Sequence, residues 1–68
     1  MKEVKISGEY IKLDQFLKLA DEAGSGGEAK ILILSGEASV NGERESRRGR
    51  KLRPGDEVSV GDRAYRVV

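Results

Sequence analysis

The chain has 68 residues, with 13 Lys or Arg, 12 Asp or Glu, a formal net charge of +1, and no cysteine or histidine. A chain of this length buries only about 60% of the surface that its unfolded form exposes, so we expect one small domain over residues 1–68 and no separate catalytic domain with a deep cleft. The absence of Cys and His excludes disulfides, argues against structural zinc and removes Cys–His catalytic pairs, so we expect neither a metal nor a cofactor.

The N-terminal residues carry charges and do not form a signal-peptide core, and no apolar run approaches the roughly 18 residues of a membrane span. We therefore expect a cytoplasmic protein with no membrane partner.

The first half of the chain predicts one strand followed by a helix. Val4 and Ile6 alternate with polar residues, which is typical of a short strand. Apolar residues at helical spacing then predict a first helix over about residues 13–23, with Gly24 as the residue that follows its C-cap. The members of this apolar stripe are Leu13, Phe16, Leu17, Ala20 and Ala23.

A second helix is predicted over about residues 26–35. Ser25 and Glu28 match a capping box, in which the Ser hydroxyl accepts from the N–H three residues on and the Glu reaches back to the Ser25 N–H. Residues 31–34 are all apolar and fit a buried strand equally well, but the cap favours a helix. The short connection predicts a tight helical hairpin.

The second half predicts short strands. Asn41–Gly42 suits a two-residue type I′ turn between a strand at 38–40 and a returning strand at 43–46. Pro54–Asp56 is a second turn signal, followed by strands at 57–60 and 63–68. The order predicts an α+β fold, with the helical pair on a small antiparallel sheet of four to five strands.

The charge is unevenly distributed along the chain. Residues Arg44–Arg53, which we call the basic segment, contain six Lys or Arg and one acid, Glu45, and carry +5, whereas the other 58 residues carry −4. Such clustering attracts polyanions even when the total charge is small. A solvated loop kept soluble by its charges is the alternative, but five of the six cations are Arg, whose planar fork binds phosphate in a bidentate manner.

Three stretches of the chain resemble a known family. Ile11–Leu17, Gly36–Glu43 and Leu52–Val58 are similar to the RNA-binding domain named after the fourth protein of the small ribosomal subunit, whose two-helix part is the αL motif. The resemblance spans roughly residues 11–60 and is strongest to the short stand-alone bacterial members, which implies a role with ribosomal RNA or in ribosome assembly.

The resemblance implies that RNA lies against the start of the first helix, the second helix and the loop that joins sheet strands. Lys12 stands where the family usually has Arg, and Gly26 replaces the Arg that commonly precedes the second helix. We therefore expect the basic segment to make the main RNA contacts. The expected RNA-binding residues are Lys12, Lys18, Ser25, Gly26, Lys30, Arg44, Arg47, Arg48, Arg50, Lys51 and Arg53.

These observations predict a non-catalytic protein that grips structured RNA through its phosphates, with ribosomal RNA and proteins of the ribosomal particle as partners. With only three aromatic residues, the chain is poor in base-stacking platforms. Tyr10 is the better stacking candidate, and the alternative for it is a half-buried ring beside the first helix. The rival hypothesis is a protein-interaction module that docks on an acidic surface. An enzyme is the weakest hypothesis, because its only acid–base candidates are Asp14, Asp56 and Glu57.

Overall fold

The computed structural model describes residues 1–68. Its elements in chain order are β1 (Lys2–Val4), β2 (Ile11–Lys12), α1 (Leu13–Leu19), α2 (Gly26–Leu34), β3 (Ala38–Val40), β4 (Glu43–Arg44), β5 (Lys51–Leu52), β6 (Glu57–Val60) and β7 (Arg63–Val67). This confirms the predicted α+β fold with a helical pair. Neither helix has the length and apolar content that crossing a membrane requires.

The main sheet has five strands in the order β1-β7-β6-β3-β4. We predicted an antiparallel sheet, but the sheet is mixed. β1 runs parallel to β7, with Val4 opposite Val67, while all other neighbours are antiparallel. A hairpin turn dictates an antiparallel pairing, but β1 and β7 lie at opposite ends of the chain, so no local signal sets their orientation. β2 and β5 form a separate antiparallel pair of two residues each, too short to produce a recognisable alternation.

The helices pack against the sheet over one contiguous core of 16 buried apolar residues. The largest fully buried side chains are Phe16, Leu13, Leu17, Ile33, Leu52, Val40, Val58, Val60 and Val67. Phe16 meets Tyr65 edge-on, with ring centroids 6.2 Å apart and planes at 77°. Each large apolar side chain buried here contributes about 1.5–3 kcal/mol, which makes the helix–sheet interface the main source of stability.

The first helix is shorter than the predicted 13–23, because the chain leaves it at Ala20. Asp21 adopts a positive φ of 64°, and its N–H donates to the Lys18 carbonyl at 3.0 Å while the Glu22 N–H donates to the Leu17 carbonyl at 2.9 Å. This pair of bonds is a Schellman motif. Asp21 therefore takes the role that we predicted for Gly24, since Asp is among the few residues other than Gly that tolerate the left-handed region.

The second helix begins as predicted at its Ser25 cap, whose Oγ accepts from the Glu28 N–H at 3.2 Å. The reciprocal bond differs from the prediction, because the Glu28 carboxylate accepts from the N–H of Gly24 at 3.0 Å and not from Ser25. The helix ends at Leu34, and Gly36 follows it with a φ of +84°. Both ends of α2 therefore lie within one residue of the prediction.

The Asn41–Gly42 turn has the positive φ values, 51° and 86°, that a type I′ hairpin requires. The Asn41 side chain also donates to Asp56 Oδ1 at 3.1 Å and accepts from the Glu57 N–H at 2.9 Å, which ties this hairpin to the Pro54–Asp56 turn. The returning strand is only Glu43–Arg44, because the Glu45 carboxylate accepts from the Arg47 backbone N–H at 3.0 Å and bends the chain into a loop.

Candidate nucleic-acid interface

The basic segment is held at both of its ends. Its first residue, Arg44, lies in β4 and pairs with Ser39 of β3. Near its other end Lys51 and Leu52 form β5 and pair with Lys12 and Ile11. Since Leu52 is fully buried, the intervening arginine-rich loop is anchored beside the start of α1.

The same loop caps the first helix with its own backbone. The Leu13 N–H donates to the Arg50 carbonyl at 2.8 Å and the Asp14 N–H donates to the Arg48 carbonyl at 3.1 Å. The N-cap residue Lys12 supplies no side-chain bond. The loop therefore satisfies two of the free donors of the first turn, and Asp14 Oδ1 accepts from a third, the Gln15 N–H. An anion at this end of α1 would bind to side chains such as Lys12.

Glu45 organises the loop from within. Its carboxylate accepts from Arg47 Nε at 3.0 Å, from Arg47 Nη2 at 2.9 Å and from Arg50 Nη1 at 2.8 Å. The hydrogen bonds from Arg47, followed by those from Arg50, hold the pKa of Glu45 far below its usual range. Glu45 is therefore ionised throughout the physiological pH range, and it restrains both arginines.

An open cleft of about 500 Å³ lies on the outer side of this cluster. It has no hydrophobic lining residue, and its walls are Arg47, Gly49, Arg50, Lys51 and Arg53. Four cations around one cleft create a strongly positive local field. Arginine forks and a lysine ammonium are the protein groups best suited to phosphate oxygens, so the lining of the cleft has the chemistry that an anion requires.

Arg48 extends the positive surface to the second helix. Its Nη2 lies 3.5 Å from Asp14 Oδ2, and a Cβ placed on Gly26 would lie 3.9 Å from the same nitrogen. The loop thus brings the Arg48 guanidinium close to the start of α2, next to Ser25 and Gly26. The residues at this helix start include no arginine of their own. These predicted site residues are brought together.

Lys51 and Tyr10 form a second link between the loop and the N-terminal half. The Lys51 Nζ lies 4.8 Å from the Tyr10 ring centroid, a cation–π contact. Tyr10 is 41% exposed, which is close to the half-buried ring of our alternative interpretation. One face of the ring is engaged by a lysine that the sequence pattern did not connect to it.

Three predicted site residues lie away from the cleft. The Arg44 side chain packs over Gly36 at the C-terminal end of α2, where a Cβ on the glycine would lie 3.0 Å from its Nε. Lys18 lines a different groove, together with Ile11 and Gln15. Lys30 is exposed on α2. Because these three residues lie apart, the loop from Arg47 to Arg53 contains the densest group of predicted site residues.

Sequence reasoning missed the role of Glu45. It counted the residue only as one negative charge within the basic segment, whereas the structure places it at the centre of the arginine cluster. The available signal was its position, since a lone acid two residues before one Arg and five before another can reach both after a turn.

Comparison with protein families gives a match to the S4 domain over residues 4–68. The chain is 48% identical over 66 residues to a Bacillus subtilis (strain 168) protein named "Probable ribosome maturation protein RlbA", with 96% of this chain and 93% of the relative covered.

Comparison with solved structures gives a match to the crystal structure of the 30S ribosomal protein S4e from Thermoplasma acidophilum. The TM-score is 0.65 at 22% identity, and the match covers 88% of this chain and 31% of that one. At this identity the match shows a shared fold, and the chain spans less than a third of the length of the matched protein.

Proposed function

The chain belongs to the S4 domain family, and from this premise we propose that it is a non-catalytic RNA-binding protein that grips structured RNA, namely ribosomal RNA or an assembling ribosomal particle. The observation that carries the proposal is the cleft of four cations without hydrophobic lining, fixed beside the helical pair. The name of the Bacillus relative, a ribosome maturation protein, supports the ribosomal assignment. We accordingly place the protein in the cytoplasm, where bacterial ribosomes assemble.

In this proposal the basic segment binds phosphates rather than bases. Arg47, Arg50, Lys51 and Arg53 contact successive backbone phosphates, and Arg48 adds a contact at the start of α2. Such contacts position a protein on RNA and carry most of the affinity without reading sequence. Recognition then depends on the shape of the folded RNA, in keeping with the scarcity of exposed aromatic rings.

The acid–base candidates named from the sequence all have structural partners, which supports a non-catalytic role. Asp14 accepts from the Gln15 N–H at 2.8 Å. Asp56 accepts from the Arg53 N–H at 2.8 Å and from the Asn41 amide at 3.1 Å. Glu57 pairs with Arg66 at 3.0 Å. Each carboxylate is accounted for by a contact in the first turn of α1, by a tight turn or by an ion pair on the sheet.

Ultraviolet crosslinking in bacterial cells, followed by sequencing of the recovered RNA and mass spectrometry of the crosslinked peptide, tests the proposal. We expect one or a few discrete ribosomal RNA sites, crosslinked to peptides that contain residues of the basic segment. Recovery of crosslinked protein with no discrete RNA site would instead favour the rival hypothesis of docking on an acidic protein surface.

A further inference from the structure

Glu45 occupies an unexpected place for an acidic residue. It is the one acid of the basic segment and is only 7% exposed, yet it hydrogen-bonds Arg47 and Arg50, two of the residues that line the cationic cleft. A carboxylate there reduces the positive field that attracts RNA. An acid at the centre of the cluster is therefore expected to have a compensating role at the same site.

We propose that Glu45 is a positioning residue for RNA binding, which fixes the Arg47 and Arg50 guanidinium groups in the orientation that engages phosphates. This inference rests on the proposed function, because it concerns the same site. It predicts that neutralising a negative charge next to the phosphate-binding cleft weakens RNA binding instead of strengthening it.

The geometry of Arg47 supports this role. Glu45 accepts from Nε and from one N–H of Nη2, which leaves three of the five guanidinium donors of Arg47 for other partners. The Arg47 side chain is 70% exposed. The carboxylate thus holds one edge of the fork and leaves the opposite edge directed to solvent, where a phosphate can accept two parallel bonds.

Arg50 connects the cluster to the rest of the fold. It gives Glu45 one bond from Nη1, its side chain is 32% exposed, and its carbonyl accepts from the Leu13 N–H at the start of α1. Glu45 is tied to β3 through its own N–H, which donates to the Ala38 carbonyl at 3.1 Å. Hydrogen bonds therefore attach the two arginines to α1 and β3, which restricts their movement.

Two opposing effects decide the sign of a Glu45 substitution. Loss of the negative charge favours RNA, but a phosphate bound to the free edges of the two guanidinium groups lies farther from the carboxylate than from these groups, so the electrostatic gain is modest. Release of two long side chains adds the entropic cost of ordering them when RNA binds. We expect the ordering cost to exceed the electrostatic gain.

The experiment compares two substitutions that change the charge equally. Glu45→Gln keeps the shape of the side chain, and Glu43→Gln is the matched control, since Glu43 is exposed on β4 two residues away and makes no ion pair. Binding to total folded bacterial ribosomal RNA is measured by filter binding over a salt series, and folding is monitored by circular dichroism.

We expect Glu45→Gln to raise the Kd about tenfold and to reduce the steepness of the salt dependence by roughly one to two phosphate contacts. Glu43→Gln should leave the steepness unchanged and the Kd equal to or slightly below that of the wild type. If both variants tighten binding equally, Glu45 acts only as a negative charge and the proposal is wrong.

Arg47→Lys provides a second test that keeps the charge and alters only an exposed residue. Lysine cannot make the fork that Glu45 holds, so Glu45→Gln should weaken binding less in the Arg47→Lys background than in the wild type. Equal effects of Glu45→Gln in both backgrounds would mean that Glu45 does not act through Arg47.

The Arg47 Nε–H resonance of the free protein separates this inference from the proposed function. It should exchange slowly with water in the wild type and rapidly in Glu45→Gln, with Arg53 Nε–H as the rapidly exchanging internal reference. If ribosomal RNA does not bind but Arg47 Nε–H is protected, the proposed function fails and the restraint by Glu45 stands. If Arg47 Nε–H exchanges as rapidly as that of Arg53 in the wild type, the positioning role is overturned.

Discussion

Two arginine–carboxylate clusters of this protein use the same chemistry in different ways. In the basic segment, Glu45 binds Arg47 and Arg50, two and five residues away in the chain. In the second cluster, which we call the clasp, Glu22 accepts from Arg63 at 2.6 and 2.7 Å and from the Tyr65 hydroxyl, which lie 41 and 43 residues away. The clasp joins the turn after α1 to β7.

The two clusters differ in the ratio of positive to negative side chains. In the clasp, both carboxylate oxygens bind one arginine fork and a tyrosine hydroxyl takes a further bond, so one negative charge balances one positive charge. In the basic segment, two arginines share one carboxylate and further cations line the cleft beside them. A matched pair between distant elements stabilises the fold, whereas a local cluster with surplus cations keeps donors available for a ligand.

The largest expected effect is on RNA affinity when cleft cations are reversed. The double substitution Lys51→Glu and Arg53→Glu should lower affinity for folded ribosomal RNA about 100-fold, because two phosphate contacts become repulsions. Neither side chain forms an ion pair within the protein, and loss of the exposed Lys51–Tyr10 contact should cost no more than about 1 kcal/mol, so the variant should remain folded. Filter binding and thermal unfolding measure the two quantities.

The matched control is Lys2→Glu with Lys5→Glu. These lysines lie in and just after β1, at the opposite edge of the sheet from β4, and the substitutions change the net charge by the same amount. Their affinity should fall much less. Equal losses from both double variants would show that RNA responds to total charge and not to the cleft.

The clasp should respond in the opposite way. Glu22→Gln removes the charged acceptor of Arg63 and Tyr65, and we expect a loss of about 2 kcal/mol in the free energy of unfolding, equivalent to a fall of roughly 8–16 °C in Tm for a domain of this size. Its RNA affinity at a temperature where the variant is folded should stay within about twofold of the wild type.

Glu57→Gln is the control for the clasp, because it breaks the exposed Glu57–Arg66 pair and should cost less than about 0.5 kcal/mol. Similar stability losses in the two variants, or a large loss of RNA binding in Glu22→Gln, would contradict the division between a structural and a ligand-binding cluster.

Acid should weaken both clusters together. Hydrogen bonds from Arg63 lower the pKa of Glu22, and those from Arg47 lower the pKa of Glu45. Groups with a lowered pKa in the folded state contribute stability that is complete above their unfolded pKa, near 4.5, and is lost as the pH falls below it. Denaturant unfolding should therefore show a decline of about 1–2 kcal/mol between pH 5 and pH 3, and a flatter profile in the double variant Glu22→Gln with Glu45→Gln. A profile equally steep in that variant would assign the acid sensitivity to other groups.

Local signals in the sequence predicted the local structure well. The Ser25 cap, the Asn41–Gly42 turn and the strands of β6 and β7 were recovered, because each depends on residues within a few positions of one another. The predicted end of α1 was wrong, because Asp21 adopts the left-handed conformation three residues before Gly24, where we expected it.

Long-range features were not predictable in the same way. The parallel pairing of β1 with β7 and the clasp join residues more than 40 positions apart, and no periodicity or turn signal encodes such contacts. The site was predicted as a charged segment, but its arrangement was not, because the capping of α1 by the Arg48 and Arg50 carbonyls and the inward-facing Glu45 depend on how β5 docks against β2.

The central claim, that the basic segment binds ribosomal RNA through phosphate contacts, is tested most directly by the salt dependence of binding to folded ribosomal RNA. With about five phosphates neutralised, the logarithm of the affinity should fall against the logarithm of salt concentration with a slope of roughly −3 to −5. The slope should become shallower by about two in the Lys51→Glu, Arg53→Glu variant. A slope near zero, or one that the substitutions leave unchanged, would contradict the account.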